Sequence, residues 1–442
     1  MVRHKRVSAL RERSNTNSSI DSDTSGVKRH GGNALPYKFI ESVTEDHRRD
    51  VYSCAFNPNL PESSYPILAT VGSNQATVYE CLPVVPHKTG TMNVVCGYVD
   101  TQVYHLLPDK KNDSGNKEGK LLSESYYAVC WLFNDKTVRS DLTHHLLAIA
   151  GERGLVRIID IQMNKCVATL HGHGGAVNEL ATHPIKTMVF LSASKDHVVR
   201  LWNAISQTCI GVFGGLRPHL DQVIHVEWNA SGTMLVSGSM DHAVKVWPLS
   251  ERAKSVIDAT SRPTTNGQQK MTATDGQYFH EFELPLAATR DTHNNYVDCV
   301  KFVGDQILVS KSCESKIVAY KFGTSDQMKG PTHKDTISTP KSANSCEDNV
   351  VLVAVADHDH SQTWFQKFDI DNQLKYLACG NDKGVIHLWP FGGFINEERN
   401  CRIELRVPRC VYVIRRVAFS PDGRILIATS AQGHVWRWDR VD

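Results

Sequence analysis

Short runs of alternating apolar and polar residues recur from about residue 35 to the end of the chain, as in Leu235-Val-Ser-Gly-Ser. Alternation with a period of two residues predicts half-buried β-strands. Turn residues separate these runs at short intervals, which predicts an all-β domain of small antiparallel sheets. Residues 1–34 lack the alternation and are rich in Ser, Thr, Asn and charge. We therefore predict a disordered N-terminal tail, 1–34, followed by one β domain, 35–442.

Two stretches of the chain, Ser192–Trp202 and Ser237–Trp247, align almost position by position. In each, an Asp-His turn separates two short strands, the Trp follows the Asp by six positions, and a histidine lies upstream. This spacing is the signature of WD repeats, which are about 40–45 residues long. The side chains expected to form a buried structural hydrogen-bond network in these two repeats are His173, Asp196, Trp202, His219, Asp241 and Trp247.

Seven strands carry an apolar or aromatic residue at the position that Trp202 occupies in its repeat. These residues are Tyr79, Ile159, Trp202, Trp247, Tyr320, Trp389 and Trp438. The three longest gaps between them contain polar insertions, near 106–122, 251–280 and 325–349, that we interpret as loops. The sequence therefore predicts a seven-bladed WD-repeat β-propeller. The alternating segment at about 37–43 is expected to close the ring as the outer strand of the last blade.

Composition limits the compartment and the partners. The 49 Lys and Arg residues nearly balance the 47 Asp and Glu residues, leaving a formal charge of +2, so we do not expect direct DNA binding. Twelve cysteines are scattered without a C-x-x-C pair, which favours the cytosol or the nucleus over a secreted protein. The N-terminus lacks the apolar core of a signal peptide, and we find no apolar run long enough to predict a membrane span.

The sequence offers no combination of motifs typical of an enzyme. It lacks the phosphate-binding loop, the nucleophile elbow and the dinucleotide fingerprint. The segment Ala356-Asp-His-Asp-His360 contains two histidines and two aspartates, but no second ligand cluster has zinc-like spacing. We interpret this segment as a loop that enters blade 6. A non-catalytic protein without a metal or cofactor is therefore expected.

Aromatic residues cluster at the predicted starts of several innermost strands. Tyr52 and Tyr127 follow the first apolar residue of these strands in blades 1 and 2, where other blades have Asn178, Ile224 or Asp298. Blade 6 is predicted to begin its inner strand with the adjacent aromatics Trp364 and Phe365. The predicted cage is Tyr52, Tyr127, Trp364 and Phe365. Such rings, meeting at one mouth of the channel, would suit a trimethyl-ammonium group. They could instead cap the core of the propeller.

Several stretches are more specific than a generic WD repeat. They include Ala69-Thr-Val-Gly-Ser-Asn74, Thr289-Arg-Asp-Thr-His, Asn295-Tyr-Val-Asp-Cys-Val300 and Trp436-Arg-Trp-Asp-Arg440. These stretches resemble the extra sex combs/EED family of Polycomb WD-repeat proteins. The resemblance covers roughly residues 44–440, in order, through all seven blades. Residues 1–43 and the insertions differ from the family, so family contacts made through them are not expected here.

The resemblance implies a function and a site. Members of this family are non-catalytic subunits of Polycomb repressive complex two, which methylates lysine twenty-seven of histone H3. The family binds the trimethylated form of that lysine in an aromatic cage, which here falls on the four residues above. Arg415 matches a family arginine beside the cage, and Tyr296 is expected to flank the peptide. The family usually has Phe at the position of Tyr52 and Tyr at that of Phe365, so hydroxyl contacts are expected to change.

The implied partners are a SET-domain methyltransferase of the enhancer-of-zeste type, the histone H3 tail and other subunits of the complex, in the nucleus. Two other interpretations remain open at this point. A generic WD-repeat adaptor, for example a substrate receptor of a ubiquitin ligase, would have the same ring without the cage. A metal-dependent hydrolase built on a propeller would need convergent carboxylates or histidines at the channel mouth.

Overall fold

The computed structural model describes residues 35–61, 64–84, 91–105, 121–134, 145–261, 279–323, 349–398 and 401–441. Within these residues the strands form seven sheets of four or five strands and one two-stranded hairpin. Each of the seven sheets is one blade. The predicted tail, 1–34, lies outside the described residues, as do most of the insertions near 106–122 and 325–349.

The first half of the chain supplies the closing strand and blades 1 to 3. The closing strand, β1, is Tyr37–Thr44. Blade 1 consists of β2 (Val51–Phe56), β3 (Ile67–Gly72), β4 (Gln75–Cys81) and β5 (Met92–Val99). The hairpin is β6 (Val103–His105) and β7 (Leu121–Ser123). Blade 2 consists of β8 (Tyr126–Phe133), β9 (His145–Gly151), β10 (Val156–Asp160) and β11 (Lys165–Leu170). Blade 3 starts with β12 (Val177–Thr182), β13 (Val189–Ser194), β14 (Val199–Asn203) and β15 (Thr208–Phe213).

The second half supplies the remaining blades. Blade 4 consists of β16 (Val223–Trp228), β17 (Met234–Ser239), β18 (Val244–Pro248) and β20 (Ala287–Thr289). Between β18 and β20 lie helix α1 (Glu251–Thr260) and β19 (His280–Phe282), which joins blade 3 beside β15. Blade 5 consists of β21 (Val297–Val303), β22 (Ile307–Ser312), β23 (Lys316–Phe322) and β24 (Val350–Asp357). Blade 6 consists of β25 (Asp369–Ile370), β26 (Tyr376–Gly380), β27 (Ile386–Pro390) and β28 (Ile403–Leu405), with helix α2 (Phe391–Ile395) before β28. Blade 7 consists of β29 (Ile414–Phe419), β30 (Ile425–Ser430), β31 (His434–Arg440) and β1.

The hydrophobic core lies between the blades. Seven clusters of buried side chains occur in the described part of the chain, one in each gap between neighbouring blades. The seven positions predicted from the repeat all lie on the third strand of a blade, each opposite an apolar residue of the second strand. The prediction of a seven-bladed, all-β propeller is therefore confirmed.

Strand β1 joins the two ends of the ring. It pairs antiparallel with β31, from Tyr37 opposite Arg440 to Thr44 opposite His434. The next residue, Glu45, connects this strand to blade 1, because its carboxylate accepts hydrogen bonds from Thr70 Oγ1 (2.5 Å) and Tyr79 Oη (3.1 Å). Glu41 also accepts a hydrogen bond from the amide of Thr91, next to β5, at 2.6 Å. The segment thus belongs to blade 7 through its backbone and to blade 1 through the side chains of Glu41 and Glu45.

The network predicted in blades 3 and 4 consists of direct hydrogen bonds. His173 Nδ1 lies 2.8 Å from Asp196 Oδ2, and its Nε2 lies 2.5 Å from Ser192 Oγ. Trp202 Nε1 donates to the same hydroxyl at 2.7 Å. In blade 4 the equivalent chain is Asp241, His219, Ser237 and Trp247, with distances of 2.8–3.2 Å. The serine that links the histidine to the tryptophan in each network was not predicted from the sequence.

The blade 3 network gives a prediction for the pH dependence of stability. Burial raises the pKa of Asp196, but hydrogen bonds from His173 and from backbone amides outweigh it and hold this pKa at about 2. Because the ordinary value of 3.8 is higher, the stabilisation is complete above about pH 4 and is lost as the pH falls towards 2. Asp196→Asn should therefore lose less stability than the wild type between pH 4 and pH 2. Urea unfolding at both pH values measures this; equal losses would contradict the assignment.

The interpretation of 251–280 as a polar loop needs a correction. Its first ten residues form helix α1, which begins at the N-cap Ser250, whose Oγ accepts a hydrogen bond from the amide of Ala253. Ala253, Val256 and Ile257 lie on one face of this helix at helical spacing and pack into the core between blades 3 and 4. Three apolar residues in a polar segment were too few to reveal the helix by composition. Residues 262–278 lie outside the described residues.

Candidate functional site

A β-bulge near the start of the innermost strand recurs around the ring. In six blades the pairing with the second strand skips the second residue of the innermost strand. The skipped residues are Tyr52, Tyr127, Asn178, Ile224, Asp298 and Arg415. A bulge redirects the side chain of the extra residue, and bulges are common beside functional sites. Here the bulges are the local reason why Tyr52 and Tyr127 leave the strand pattern at the same end of the channel.

Blade 6 departs from this arrangement. The sequence placed Trp364 and Phe365 at the start of its innermost strand, but β25 begins only at Asp369. Phe365 has φ +66°, in the left-handed region, so the chain cannot be extended there. Lys367 then forms an isolated parallel bridge with Arg416 of blade 7. The two aromatic residues therefore lie on a turn that precedes the strand.

The turn and the two bulges bring the predicted rings together. Tyr52 contacts Tyr127 edge to face, with ring centroids 4.9 Å apart, and contacts Phe365 at 5.5 Å. Phe365 also contacts Tyr127 at 6.0 Å and Trp364 at 5.6 Å, with an angle of 90° between the last two ring planes. We call Tyr52, Tyr127, Trp364 and Phe365 the aromatic cluster. Its members come from blades 1 and 2, which are consecutive in the sequence, and from the distant blade 6.

Members of the aromatic cluster differ in exposure. Phe365 is buried, with 3% of its surface exposed, whereas Trp364 is 43% exposed. Tyr52 and Tyr127 are half-buried. Phe365 is therefore the inner ring of the cluster, and the indole of Trp364 is the ring most accessible to a ligand.

Carboxylates lie at the rim of the aromatic cluster. The hydroxyl of Tyr127 donates to Glu152 Oε2 at 2.6 Å, and the Asp50 carboxylate raises the pKa of Tyr52 in addition to the effect of burial. Burial and the bond to Glu152 raise the pKa of Tyr127 as well. Both phenols therefore stay neutral at physiological pH, and the negative charges lie on the two neighbouring carboxylates.

Arg415 connects three blades beside the aromatic cluster. Its Nε and Nη2 donate to Asp50 Oδ2 of blade 1, at 3.1 and 2.9 Å. Its Nη1 donates to the carbonyl oxygen of Trp364 at 3.1 Å, and its guanidinium carbon lies 5.6 Å from the centroid of the Tyr52 ring. The arginine thus lies next to the cluster and is held there by an ion pair.

A buried ion triad lies beneath the aromatic cluster. Lys367 Nζ lies 4.2 Å from the centroid of the Phe365 ring and donates to Glu179 Oε2 at 2.7 Å. Arg416 Nη1 reaches the same carboxylate oxygen, also at 2.7 Å. Burial raises the pKa of Glu179, but the two cations outweigh it, so this pKa lies well below its usual range. Sequence reasoning missed Glu179, although it is the one charged residue of the innermost strand Val177–Thr182, which was a usable signal.

The remaining predicted residue, Tyr296, lies apart from the aromatic cluster. It stands at the start of blade 5, half exposed, with its ring centroid 6.0 Å from that of His242. Within the described residues, none of its ring contacts joins it to the cluster. Tyr296 therefore does not belong to the aromatic cluster, and its predicted contact with a peptide stays a prediction.

The segment 356–360, with its two histidines and two aspartates, makes contacts within the protein. In the segment suspected of metal binding, His358 is buried and its Nδ1 lies 2.9 Å from His387 Nδ1. No group of three or more His, Cys, Asp or Glu suited to a metal occurs in the part of the chain that the structure describes. None of the described helices is long and apolar enough to cross a membrane.

The arrangement suits a cation that carries methyl groups. Ring faces attract a positive charge, and their apolar surface accommodates methyl groups that water solvates poorly. The carboxylate of Glu152 adds negative charge at the rim, whereas that of Asp50 is paired with Arg415. The described site therefore has the chemistry of a receptor for a methylated ammonium group.

Known proteins are similar to this chain over most of its length. The family model for the WD domain, G-beta repeat, matches residues 164–203, 207–248 and 406–439. Polycomb protein esc of Drosophila melanogaster is 34% identical, covering 91% of this chain and 84% of the relative. Polycomb group protein FIE1 of Oryza sativa subsp. japonica is 31% identical, covering 92% of each chain.

Solved structures show the same fold. A chain of the Chaetomium thermophilum Polycomb Repressive Complex 2 bound to GSK126 matches with a TM-score of 0.68 and 18% identity, covering 91% of this chain and 98% of that one. A chain of a ctPRC2 structure in complex with H3K27me3 and H3K27M matches with a TM-score of 0.67, 18% identity and the same coverage. At this identity the structural likeness shows the architecture, and the sequence relatives carry the family assignment.

Proposed function

Since this chain belongs to the Polycomb esc family of WD-repeat proteins, we propose that it is a non-catalytic subunit of a Polycomb histone methyltransferase complex. In this proposal the aromatic cluster binds trimethylated lysine twenty-seven of the histone H3 tail. The propeller also supports a SET-domain methyltransferase of the enhancer-of-zeste type, together with other subunits of the complex, and acts in transcriptional repression in the nucleus.

The observation that supports the ligand most strongly is the convergence of four rings from three blades at one mouth of the channel. Cation–π attraction is strongest where the cation is removed from water, on the order of 2 kcal/mol. Trimethyl-lysine keeps its charge but cannot donate hydrogen bonds, so it loses less on leaving water than a bare ammonium group. The cluster offers ring surface rather than acceptors at its centre, which favours the methylated form.

The surroundings of the aromatic cluster support a basic peptide as the carrier of this lysine. The carboxylate of Glu152 lies at the rim and is not paired with the arginine that binds Asp50, and histone tails are rich in lysine and arginine. A chain of the same fold occurs in a ctPRC2 structure that was solved in complex with H3K27me3 and H3K27M, and H3K27me3 belongs to the same ligand class. The departures at Tyr52 and Phe365 keep an aromatic ring at both positions, so they preserve the attraction for a cation.

Removal of the exposed indole tests the ligand assignment. Trp364→Ala should weaken binding of a trimethylated H3 peptide by about 2 kcal/mol, roughly thirtyfold, because the most accessible ring is lost. Isothermal titration measures the change, and Trp364→Phe, which keeps a ring, should lose clearly less. Both variants should melt close to the wild type, because Trp364 is 43% exposed. An unchanged affinity in the alanine variant would contradict the assignment of Trp364 to the site.

The partner assignment needs a separate experiment. Affinity purification of the full chain from nuclear extract, followed by mass spectrometry, should recover a SET-domain methyltransferase of the enhancer-of-zeste type. Recovery of a ubiquitin ligase without any methyltransferase would instead favour the generic adaptor. The Trp364 variants should still recover the methyltransferase if that enzyme binds away from the aromatic cluster.

A further inference from the structure

We propose that Asp298, on the innermost strand of blade 5, is a positioning residue for the aromatic cluster. Its carboxylate fixes the turn that presents Trp364 and Phe365. This inference rests on the function proposed above, since it assigns a role within the same site. Asp298 acts through the backbone that bears two of the rings.

The turn at Phe365 needs an external constraint. With φ +66°, Phe365 adopts a backbone conformation that is unfavourable for a residue with a bulky side chain. Such a conformation persists only where the surroundings determine it. This backbone conformation goes with the orientation of the two rings: those of Trp364 and Phe365 stand at 90° to each other although the residues are adjacent. Relaxation of the turn would change the mutual orientation of the two rings.

Asp298 supplies the constraint at the residue that follows the turn. Its Oδ2 accepts a hydrogen bond from the backbone amide of Gln366 at 3.1 Å. The carboxylate is fully buried, and both of its oxygens also accept from Lys311 Nζ, at 3.1 and 3.0 Å. Lys311 is itself fully buried. A buried acceptor held by a buried cation has little freedom to move, so the amide of Gln366 is fixed in direction.

Other contacts hold the turn at its edges. The side chain of Gln366 accepts from Ser361 Oγ at 2.7 Å and donates to Asp382 Oδ1 at 2.7 Å. Arg415 holds the carbonyl of Trp364. Gln366 directly follows Phe365, and among the described residues Asp298 alone accepts a hydrogen bond from its backbone amide. It is therefore the contact most directly coupled to the backbone conformation of that residue.

The position of Asp298 in the repeat fits this role. It is the bulged residue of its strand, equivalent to Tyr52 in blade 1 and Tyr127 in blade 2. The same structural position thus provides a ring in two blades and an anchor in a third. From the sequence, Asp298 was recognised only as a polar residue at the strand position that Tyr52 and Tyr127 occupy in their own blades.

Two double variants isolate the hydrogen bond from the ion pair. Asp298→Asn/Lys311→Met removes both charges but keeps a side-chain oxygen for the amide of Gln366. Asp298→Leu/Lys311→Met has nearly the same shape and no acceptor. Neither leaves an unpaired buried charge, and melting curves show whether both are folded. If the leucine variant does not fold, Asp298→Ser/Lys311→Met replaces it, because the shorter side chain cannot reach the amide.

The first measurement is the ratio of affinities for trimethylated and unmethylated H3 peptides, obtained by titration of the full chain. The asparagine variant should keep the ratio of the wild type within about threefold. The leucine variant should reduce the ratio by about tenfold or more. A variant with merely less folded protein would lose binding to both peptides alike and leave the ratio unchanged, so the ratio separates positioning from general stability.

The second measurement needs no peptide. Trp364 is 43% exposed, whereas the other seven tryptophans are at most 5% exposed, so quenching of fluorescence by acrylamide reports mainly on Trp364. Quenching should be unchanged in the asparagine variant and altered in the leucine variant. If both measurements are the same in the two variants, the positioning role is wrong. If the wild type does not distinguish the peptides, the proposed function fails, and quenching alone still decides whether Asp298 positions the turn.

Discussion

Deletion of residues 1–44, which removes the closing strand β1, is expected to lower the melting temperature by roughly 10 °C or more. Tyr37 is 1% exposed and its hydroxyl donates to the carbonyl of Gly423 at 2.6 Å. Phe39 packs against Trp436 and Trp438, with ring centroids 6.2 and 5.7 Å apart. Loss of a buried aromatic side chain typically costs about 3–5 kcal/mol, and the deletion removes two such side chains together with the pairing of β1. At about 1 °C per kcal/mol for a chain of this length, these losses add up to roughly 10 °C.

The deletion also exposes the edge of β31. All seven backbone partners in the pairing of β1 with β31 disappear, so blade 7 becomes a three-stranded sheet with an unpaired edge that can aggregate. The truncation is designed to stop before Glu45, so that its bonds to Thr70 and Tyr79 remain. Deletion of residues 1–34 is the matched control and should leave the melting temperature nearly unchanged. Equal melting temperatures for the two truncations would refute closure by β1.

Glu179→Gln is expected to destabilise the fold by about 3–5 kcal/mol, since it removes the anion between the buried Lys367 and the partly buried Arg416. Lys367 and Arg416 both lie 2.7 Å from Glu179 Oε2. An amide oxygen is a weaker partner for both cations, and Lys367 has only 1% of its surface exposed to water. The destabilisation therefore arises mainly from the unpaired charges and less from the loss of an attraction.

Urea unfolding provides the measurement, and two further variants separate the causes. Glu227→Gln is the matched control in the same channel, because Glu227 is partly exposed and Lys301 keeps a second partner in Asp369 at 3.0 Å. This control should cost less than about 1 kcal/mol. The triple variant Glu179→Gln/Lys367→Met/Arg416→Met should recover much of the lost stability. A loss below about 1 kcal/mol for Glu179→Gln alone would contradict the role of the triad.

The repeat pattern was sufficient to predict the ring because its information is local. A tryptophan or apolar residue on the third strand of a blade packs against a neighbour in the second strand, and this requirement recurs in every blade. The closing segment was also recognisable, because the alternation at 37–43 predicts a strand regardless of which strand it pairs with. Both features depend on periodicity, which survives when the polar residues of the turns are replaced.

The residues that replace the His, Ser, Trp and Asp network in the other blades were harder to predict. In blade 1 the carboxylate of Glu45, which lies outside the repeat, binds Thr70 and Tyr79 where blades 3 and 4 use histidine, serine and tryptophan. In blade 5, His293 binds Ser310 at 2.7 Å, and Glu314 lies near the place of the usual aspartate. These partners come from different points of the chain, and only the folded structure shows which side chain fills each place.

The candidate site could be predicted residue by residue but not in its geometry. The positions of Tyr52 and Tyr127 followed from their place after the first apolar residue of a strand. The left-handed conformation of Phe365 had no sequence signal, because glycine usually marks that region of backbone space. The anchor Asp298 and the triad around Glu179 are likewise set by contacts between blades, over separations of 68 to 237 residues.

The most direct test of the proposed function is a titration of the wild-type protein with two histone H3 peptides. One is trimethylated at lysine twenty-seven and the other is unmethylated, with the same sequence, concentration range and salt. Binding of the trimethylated peptide should be tighter by about tenfold or more, because only that form offers a methylated cation to the aromatic cluster. Equal affinities for the two peptides would contradict the account.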